Sequence, residues 1–104
     1  MSLPIIFRPE ALDDLSEAFQ WYEEKRSGLG VELMAAVDAR LEQVQAGPRQ
    51  FPRVRGLIRR AIVHRFPYGI FFVEHSEFIN VIAVMHHARD PKHWRKRAGE
   101  RPGR

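Results

Sequence analysis

The side chains of this sequence that are best suited to acid–base chemistry are His86, His87, Arg60 and Glu74, all in its C-terminal half. Histidine exchanges protons near neutral pH, so either His86 or His87 could serve as a general base or acid. Arg60 could stabilise the negative charge that develops on a phosphate during strand cleavage. These residue types fit a ribonuclease that needs no metal. They are also typical of a hydrogen-bonded sheet rim, and the residues alone leave both interpretations open.

The histidines are poor candidates for a metal site. Neighbouring residues on a strand point to opposite faces, so His86 and His87 would diverge, and His93 has no histidine partner at four-residue helical spacing. The sequence contains no cysteine, so thiolate ligands are excluded. It also lacks a glycine-rich phosphate loop. We therefore expect neither a metal nor a cofactor.

Three apolar runs would position these side chains. They are Leu57–His64, Tyr68–Glu74 and Phe78–Met85, and their Ile, Val and Phe residues favour strands. Pro67 separates the first run from the second, because it lacks a backbone N–H. The polar residues 75–77 form a connection of hairpin length between the second and the third. The pattern predicts an antiparallel three-stranded meander.

The N-terminal half predicts a fourth strand at Leu3–Phe7 and then two helices, the first beginning at Pro9 and the second stopped by Gly47-Pro48. Each helix carries one apolar stripe at three- and four-residue spacing. The stripes are Leu12, Leu15, Phe19 and Tyr22 in the first helix and Leu33, Val37, Leu41 and Val44 in the second. Because neither stripe can be buried alone, we predict an α+β fold with a helical hairpin packed on one face of an antiparallel sheet.

The other face of the sheet, called here the open face, should carry some of the polar residues. Side chains alternate along a strand, so one of His86/His87 and one of Arg59/Arg60 should point away from the helices in any register. We therefore expect one histidine and one arginine close together on the open face.

A loop rich in arginine is predicted at Gln50–Gly56. Arg49, Arg53 and Arg55 alternate there with Phe51 and a proline. Such a loop could grip phosphates and stack on a base, or it could be solvated and tethered by its phenylalanine. Both interpretations remain open at this point.

Length and composition limit the possible classes of protein. The 104 residues predict one domain at 1–97, with Trp94 folded back as an apolar anchor, and a disordered basic tail at 98–104. The net charge of +4 favours anionic partners such as nucleic acid, a ribonucleoprotein or an acidic protein segment. The lack of cysteine fits a reducing cytoplasm. No apolar run approaches the roughly 20 residues that cross a membrane.

Four segments carry a resemblance to a known family. They are PEALDDLSEAFQWYEEK, GPRQFPRV, RFPYGIFF and VMHHARDPKHW. Together with the predicted order of elements, they resemble the RelE/ParE toxin superfamily over roughly residues 5–94. The resemblance implies a type II toxin–antitoxin module of the kind linked to plasmid stabilisation, a cytoplasmic setting in a bacterium or archaeon, and a cognate antitoxin.

The superfamily has two branches with different targets. RelE-like members cut messenger RNA in the ribosome, and ParE-like members are associated with inhibition of DNA gyrase. RelE-like enzymes usually place an arginine after the tyrosine of RFPY, where this sequence has Gly69, and lysine is confined to Lys25, Lys92 and Lys96. The ending from His86 to Pro91 resembles the ParE-like branch. The sequence thus favours a ParE-like inhibitor that acts by binding. A ribosome-dependent nuclease and a non-toxic protein that binds only the antitoxin are the alternatives.

The resemblance and the charges together suggest binding roles. Target-binding residues are expected to be Arg60, Arg65, Tyr68, Arg89 and Lys92. The antitoxin should supply an acidic amphipathic helix and an extended segment that wrap the helical hairpin and the sheet edge, and should set the oligomeric state. Phe19, Trp21 and Tyr22 are expected to anchor it, with Trp21 at least partly exposed.

Overall fold

The computed structural model describes residues 2–87 of the chain. The strands are β1 (Ile5–Phe7), β2 (Arg53–Arg55), β3 (Ile58–Ile62), β4 (Tyr68–Glu74) and β5 (Ile79–His86), and the helices are α1 (Pro9–Lys25) and α2 (Leu29–Ala46). A short 3₁₀ turn at Pro48–Gln50 follows α2. The expected packing of Trp94 and the expected tail at 98–104 lie outside the described residues.

The five strands form one sheet in the order β1-β5-β4-β3-β2. The predicted meander is confirmed, since β3, β4 and β5 pair antiparallel in sequence. The predicted N-terminal strand is also confirmed, and it pairs parallel to β5. The prediction of a loop through Gln50–Gly56 was wrong in part. Its last residues form β2, because a tight turn at Gly56, with a φ of 53°, folds the chain back so that Arg53 pairs with Arg59.

The main core lies between the helices and the sheet. The predicted stripe of α2 is buried throughout, at Leu33, Val37, Leu41 and Val44. The stripe of α1 is shifted by about one residue from the prediction. Leu12 is 52% exposed, whereas Ala11, Leu15 and Ala18 are buried. Alanines on this face let α1 approach β5 closely, which hydrophobicity alone did not indicate.

The open face of the sheet carries a second apolar cluster. Its buried members are Ile58, Phe71, Ile82, Ala83 and Met85. Ile82 and Ala83 are consecutive yet belong to the same cluster, because the β4–β5 register shifts between them and Ile82 is the extra residue of a β-bulge. The sheet is therefore apolar at its centre on both faces.

The two helices cross closely at Gly30, near the start of α2. The Glu23 carboxylate on α1 accepts backbone hydrogen bonds from Gly28 at 3.1 Å and from Gly30 at 2.9 Å. It thereby satisfies N–H groups that the first turn of a helix leaves without partners. A Cβ atom on residue 30 would lie 2.6 Å from the Phe19 backbone oxygen. Only glycine fits this crossing without a shift of the helices.

Neither helix within residues 2–87 is both long enough and apolar enough to span a membrane.

The crossing yields a stability prediction for Gly30→Ala. Overpacking should lower the free energy of unfolding by about 1–3 kcal/mol, since it outweighs the roughly 1 kcal/mol that alanine gains in helix propensity. Urea denaturation followed by circular dichroism measures the change.

The matched control is Ser27→Ala, at an exposed position in the turn that joins α1 to α2. It should change the free energy of unfolding by less than about 0.5 kcal/mol. Because the closest atom is a backbone oxygen, adding Phe19→Ala should not restore the stability of Gly30→Ala. Wild-type stability of Gly30→Ala would show that the helices adjust without strain.

Candidate functional site

His86 lies on the helix side of the sheet. It pairs across the strands with Tyr68, and the two rings meet edge to face with centroids 5.4 Å apart. Asp14 and Glu17 of α1 line the same small cavity. Asp14 also accepts a hydrogen bond from the backbone N–H of Val84 at 3.0 Å. His86 therefore belongs to a polar gap between α1 and β5.

Arg60 lies on the opposite face of the sheet. It pairs with Phe71, a member of the open-face cluster. Its Cδ and Cγ atoms lie 3.1 and 3.2 Å from the point that a Cβ on residue 69 would occupy. Its Nε atom is buried and has no hydrogen-bond partner among the described residues. The stem of Arg60 thus uses the space that Gly69 leaves.

The remaining nuclease candidates lie elsewhere. Glu74 is at the far end of β4, where its carboxylate is 3.2 Å from Nε of Arg49. His87 follows β5 in a turn, and its N–H donates to the Pro67 oxygen at 2.9 Å.

The expectation of a histidine beside an arginine on the open face is therefore not met by His86, and for His87 it stays a prediction. The bulge at Ile82 turns His86 to the helix side, and the turn takes His87 out of strand geometry. Among residues 2–87, no three His, Asp or Glu side chains are grouped so that they could hold a metal ion.

Two of the predicted target-binding residues lie together near the β3–β4 connection. Arg65 has a φ of 76°, which is uncommon for a residue with a side chain, and it forms an ion pair with Glu32 at 3.1 Å. Tyr68 packs against the core and against Tyr22, with centroids 6.1 Å apart. Arg60 is on the other face, and Arg89 and Lys92 lie outside the described residues.

Glu32 at the start of α2 holds Arg65 in place. A hydrogen bond from Arg65 is the main cause that lowers the pKa of the Glu32 carboxyl, and the charge of Arg26 acts in the same direction. A glutamate with a lowered pKa keeps its charge at neutral pH. The contact between α2 and the β3–β4 connection is therefore present at neutral pH and lost only as pH falls below the ordinary range of a glutamate.

The aromatic residues of α1 divide into one surface residue and two packing residues. Trp21 is 52% exposed, as expected, and meets Tyr22 edge to face at 4.9 Å. Tyr22 continues the contact to Phe66 at 5.2 Å, and burial raises the pKa of the Tyr22 hydroxyl. Phe19 is half-buried at the helix crossing beside Gly30.

A groove between α2 and β3 was missed by sequence reasoning. Its volume is about 810 Å³. Its helix wall consists largely of the alanines Ala35, Ala36 and Ala39. The signal in the sequence is this set of small residues beside the buried stripe of α2, which leaves space where larger residues would fill it. The other residues that line the groove are Glu32, Arg40, Gln43, Ile62, Val63, His64 and Arg65.

The strand wall of the groove is partly an uncovered sheet edge. The short β2 pairs with β3 only at Ile58 and Arg59, so the end of β3 at Ile62 extends beyond it. The Ile62 side chain is 39% exposed, and its carbonyl accepts a hydrogen bond from Nε of Arg40 at 2.7 Å. An apolar floor, an open edge and two rim arginines suit a bound polypeptide segment.

Comparison with known proteins agrees with this architecture. The family model described as the ParE toxin of the type II toxin–antitoxin system parDE matches residues 5–91. The fold is also similar to a solved structure, the chromosomal ParDE toxin–antitoxin system from P. aeruginosa, with a TM-score of 0.73. That alignment has 13% sequence identity and covers 82% of this chain and 96% of that one. No curated protein matches the sequence. Since the family model covers most of the chain, this protein belongs to the ParE toxin family of type II toxin–antitoxin systems.

Proposed function

We propose that this protein is a toxin that inhibits DNA gyrase by binding it in the cytoplasm, and that a cognate antitoxin neutralises it. The observation that carries the choice of binding over cleavage is the separation of His86 from Arg60, which lie on opposite faces of the sheet. General acid–base cleavage requires its proton donor or acceptor and its cation at one phosphate. These two side chains cannot reach one phosphate without rearrangement of the strands.

The proposed target-binding residues are Arg60, Arg65, Tyr68, Arg89 and Lys92. Arg60 supports this role through its Nε atom, which is buried with no hydrogen-bond partner among residues 2–87. Such a donor is unfavourable in the free protein, and a movement of the Arg60 side chain that exposes it to a partner carboxylate or carbonyl would supply the missing hydrogen bond. Arg65 supports it through its exposed position in the β3–β4 connection.

The groove between α2 and β3 supports the proposed antitoxin site. Arg40 and Arg65 at its rim favour an acidic segment, and the exposed Ile62 edge favours an extended one. Phe66 follows Arg65 and contacts Tyr22, which contacts Trp21. One antitoxin that leaves the groove at Arg65 would therefore reach Trp21.

The target assignment predicts inhibition of gyrase-mediated DNA supercoiling by the purified protein. His86→Ala and His87→Ala should each change that inhibition by less than about threefold, because neither is a proposed target contact. Arg60→Gln should weaken inhibition and reduce its dependence on salt.

The two histidine variants also distinguish a ribosome-dependent nuclease from a gyrase inhibitor when they are tested in a translating extract. Codon-specific cuts in ribosome-bound message that disappear in His86→Ala or His87→Ala would establish a nuclease instead. A wild-type protein that neither inhibits gyrase nor cleaves message, yet binds its antitoxin, would be a non-toxic family member.

The antitoxin site predicts two changes in affinity for the antitoxin, measured by calorimetry. Ala39→Trp should fill the groove and weaken binding at least about tenfold, because a bulky ring replaces the space that the segment needs. Trp21→Ala should weaken it about tenfold, as loss of an interface tryptophan commonly does.

Leu12→Ala is the matched control, since Leu12 is also 52% exposed on α1 but lines none of the cavities described above. Its affinity should equal that of the wild type. Unchanged affinity in Ala39→Trp would place the antitoxin elsewhere, and unchanged affinity in Trp21→Ala would remove only the tryptophan from the interface.

A further inference from the structure

Several arginines surround the hairpin formed by β2 and β3. Arg53 and Arg55 are exposed on β2, and Arg59 lies on β3 directly opposite Arg53. Arg49 approaches from the preceding 3₁₀ turn. Leu57, in the turn between the strands, is 64% exposed. These four arginines do not line the antitoxin groove and are not among the proposed target-binding residues, although Arg60 and Ile62 lie on the same strand β3.

The charges on the helix side of the hairpin are not balanced within the described chain. Like charges directly opposite each other on neighbouring strands are destabilising, so the Arg53–Arg59 pair costs the fold stability. A hydrogen bond from Arg59 Nη1 to the Phe51 oxygen, 2.7 Å long, fixes the Arg59 side chain. The acidic residue of this cavity is Glu74, and Arg49 already pairs with it at 3.2 Å. An external anion between Arg53 and Arg59 would relieve the repulsion.

The backbone of β2 offers a further means of binding. β2 is the outermost strand, and its outer side has no neighbouring strand within residues 2–87. An added strand can pair there through main-chain hydrogen bonds. Phe51, the aromatic residue of this segment, is only 7% exposed, so it cannot stack on a nucleic-acid base. A polypeptide therefore suits the site better than a nucleic acid.

The two sides of an added strand would meet different surroundings. On the helix side lies a cavity of about 260 Å³ with Arg53 and Arg59. On the open face lies a cavity of about 360 Å³ whose floor includes Ile58, Val73 and Ile82. Leu57 lines both cavities. Because side chains alternate along a strand, one set would face Arg53 and Arg59, and the other would face the apolar floor of the second cavity, which Arg8 and Arg55 also line.

We propose that the β2 edge is a second docking site, which binds an extended acidic polypeptide segment by strand addition. Its carboxylates lie between Arg53 and Arg59, and its alternate apolar side chains cover Leu57 and the open-face cavity. The proposal does not depend on the identity of the toxin's target or on the groove beside α2.

The test uses the full chain and a fluorescein-labelled eight-residue peptide of alternating glutamate and valine, with binding measured by fluorescence anisotropy. The variant Arg53→Gln should bind the peptide about three- to fivefold more weakly, with a smaller salt dependence. The same peptide with glutamine in place of glutamate should bind at least as weakly to the wild type. Methylation of alternate backbone nitrogens should abolish binding, because it removes the main-chain donors.

Arg26→Gln is the matched control, since it removes the same charge from an exposed arginine away from the hairpin. It should leave the peptide affinity unchanged. An equal loss in Arg26→Gln would reduce the effect to net charge, and full binding by the methylated peptide would exclude strand addition. Tighter binding of an eight-nucleotide oligothymidine, lost in Arg53→Gln, would make the hairpin a nucleic-acid surface and overturn the proposal.

Discussion

The β-bulge at Ile82 determines which side chains each face of the sheet presents. Before the bulge, Ile79 and Val81 of β5 point toward the helices, and after it Val84 and His86 do so. One inserted residue therefore exchanges the two faces for the rest of the strand. It keeps apolar residues on both sides of the central strand pair and places the histidine next to α1. The chemistry available at this end of the sheet depends on that single irregularity.

The groove beside α2 and the arginine-rich outer edge of the sheet both result from the short length of β2. Because β2 covers only the first part of β3, the end of β3 is left as the wall of a groove beside α2. β2 itself becomes the outer edge of the sheet, with arginines on both of its sides. A longer β2 would close the groove and extend the edge. The length of three residues thus divides one side of the molecule into two separate surfaces, a groove and a strand edge.

The sequence predicted the elements well, because long periodic patterns carry that information. The α2 stripe and the meander follow from repeated spacing of apolar residues. Three features could not be predicted in this way. The bulge is a register shift between Phe71 and Phe72 of β4, with no signature in the order of apolar residues. The burial of Ala11 and Ala18 depends on how near α1 lies to β5, and the short β2 gains its partner only through the turn at Gly56.

The sequence also identified individual functional candidates, but it did not show which residues surround them in the fold. Arg60 and His86 were correctly seen as polar residues on strands, but the face on which His86 lies depends on the bulge in β5. Trp21 was correctly expected at the surface, since Tyr22 and Phe19 take the packing positions beside it. The groove depends on side chains that are small, and a pattern of large apolar residues does not reveal an empty space.

The contact between Arg60 and Gly69 links two positions on neighbouring strands. A side chain at residue 69 would enter the space now occupied by the Arg60 stem, so the two residues cannot both be large without moving. A larger side chain at residue 69 would require the flexible Arg60 stem to move aside. The position of one positive charge on the open face therefore depends on the absence of a side chain on the neighbouring strand.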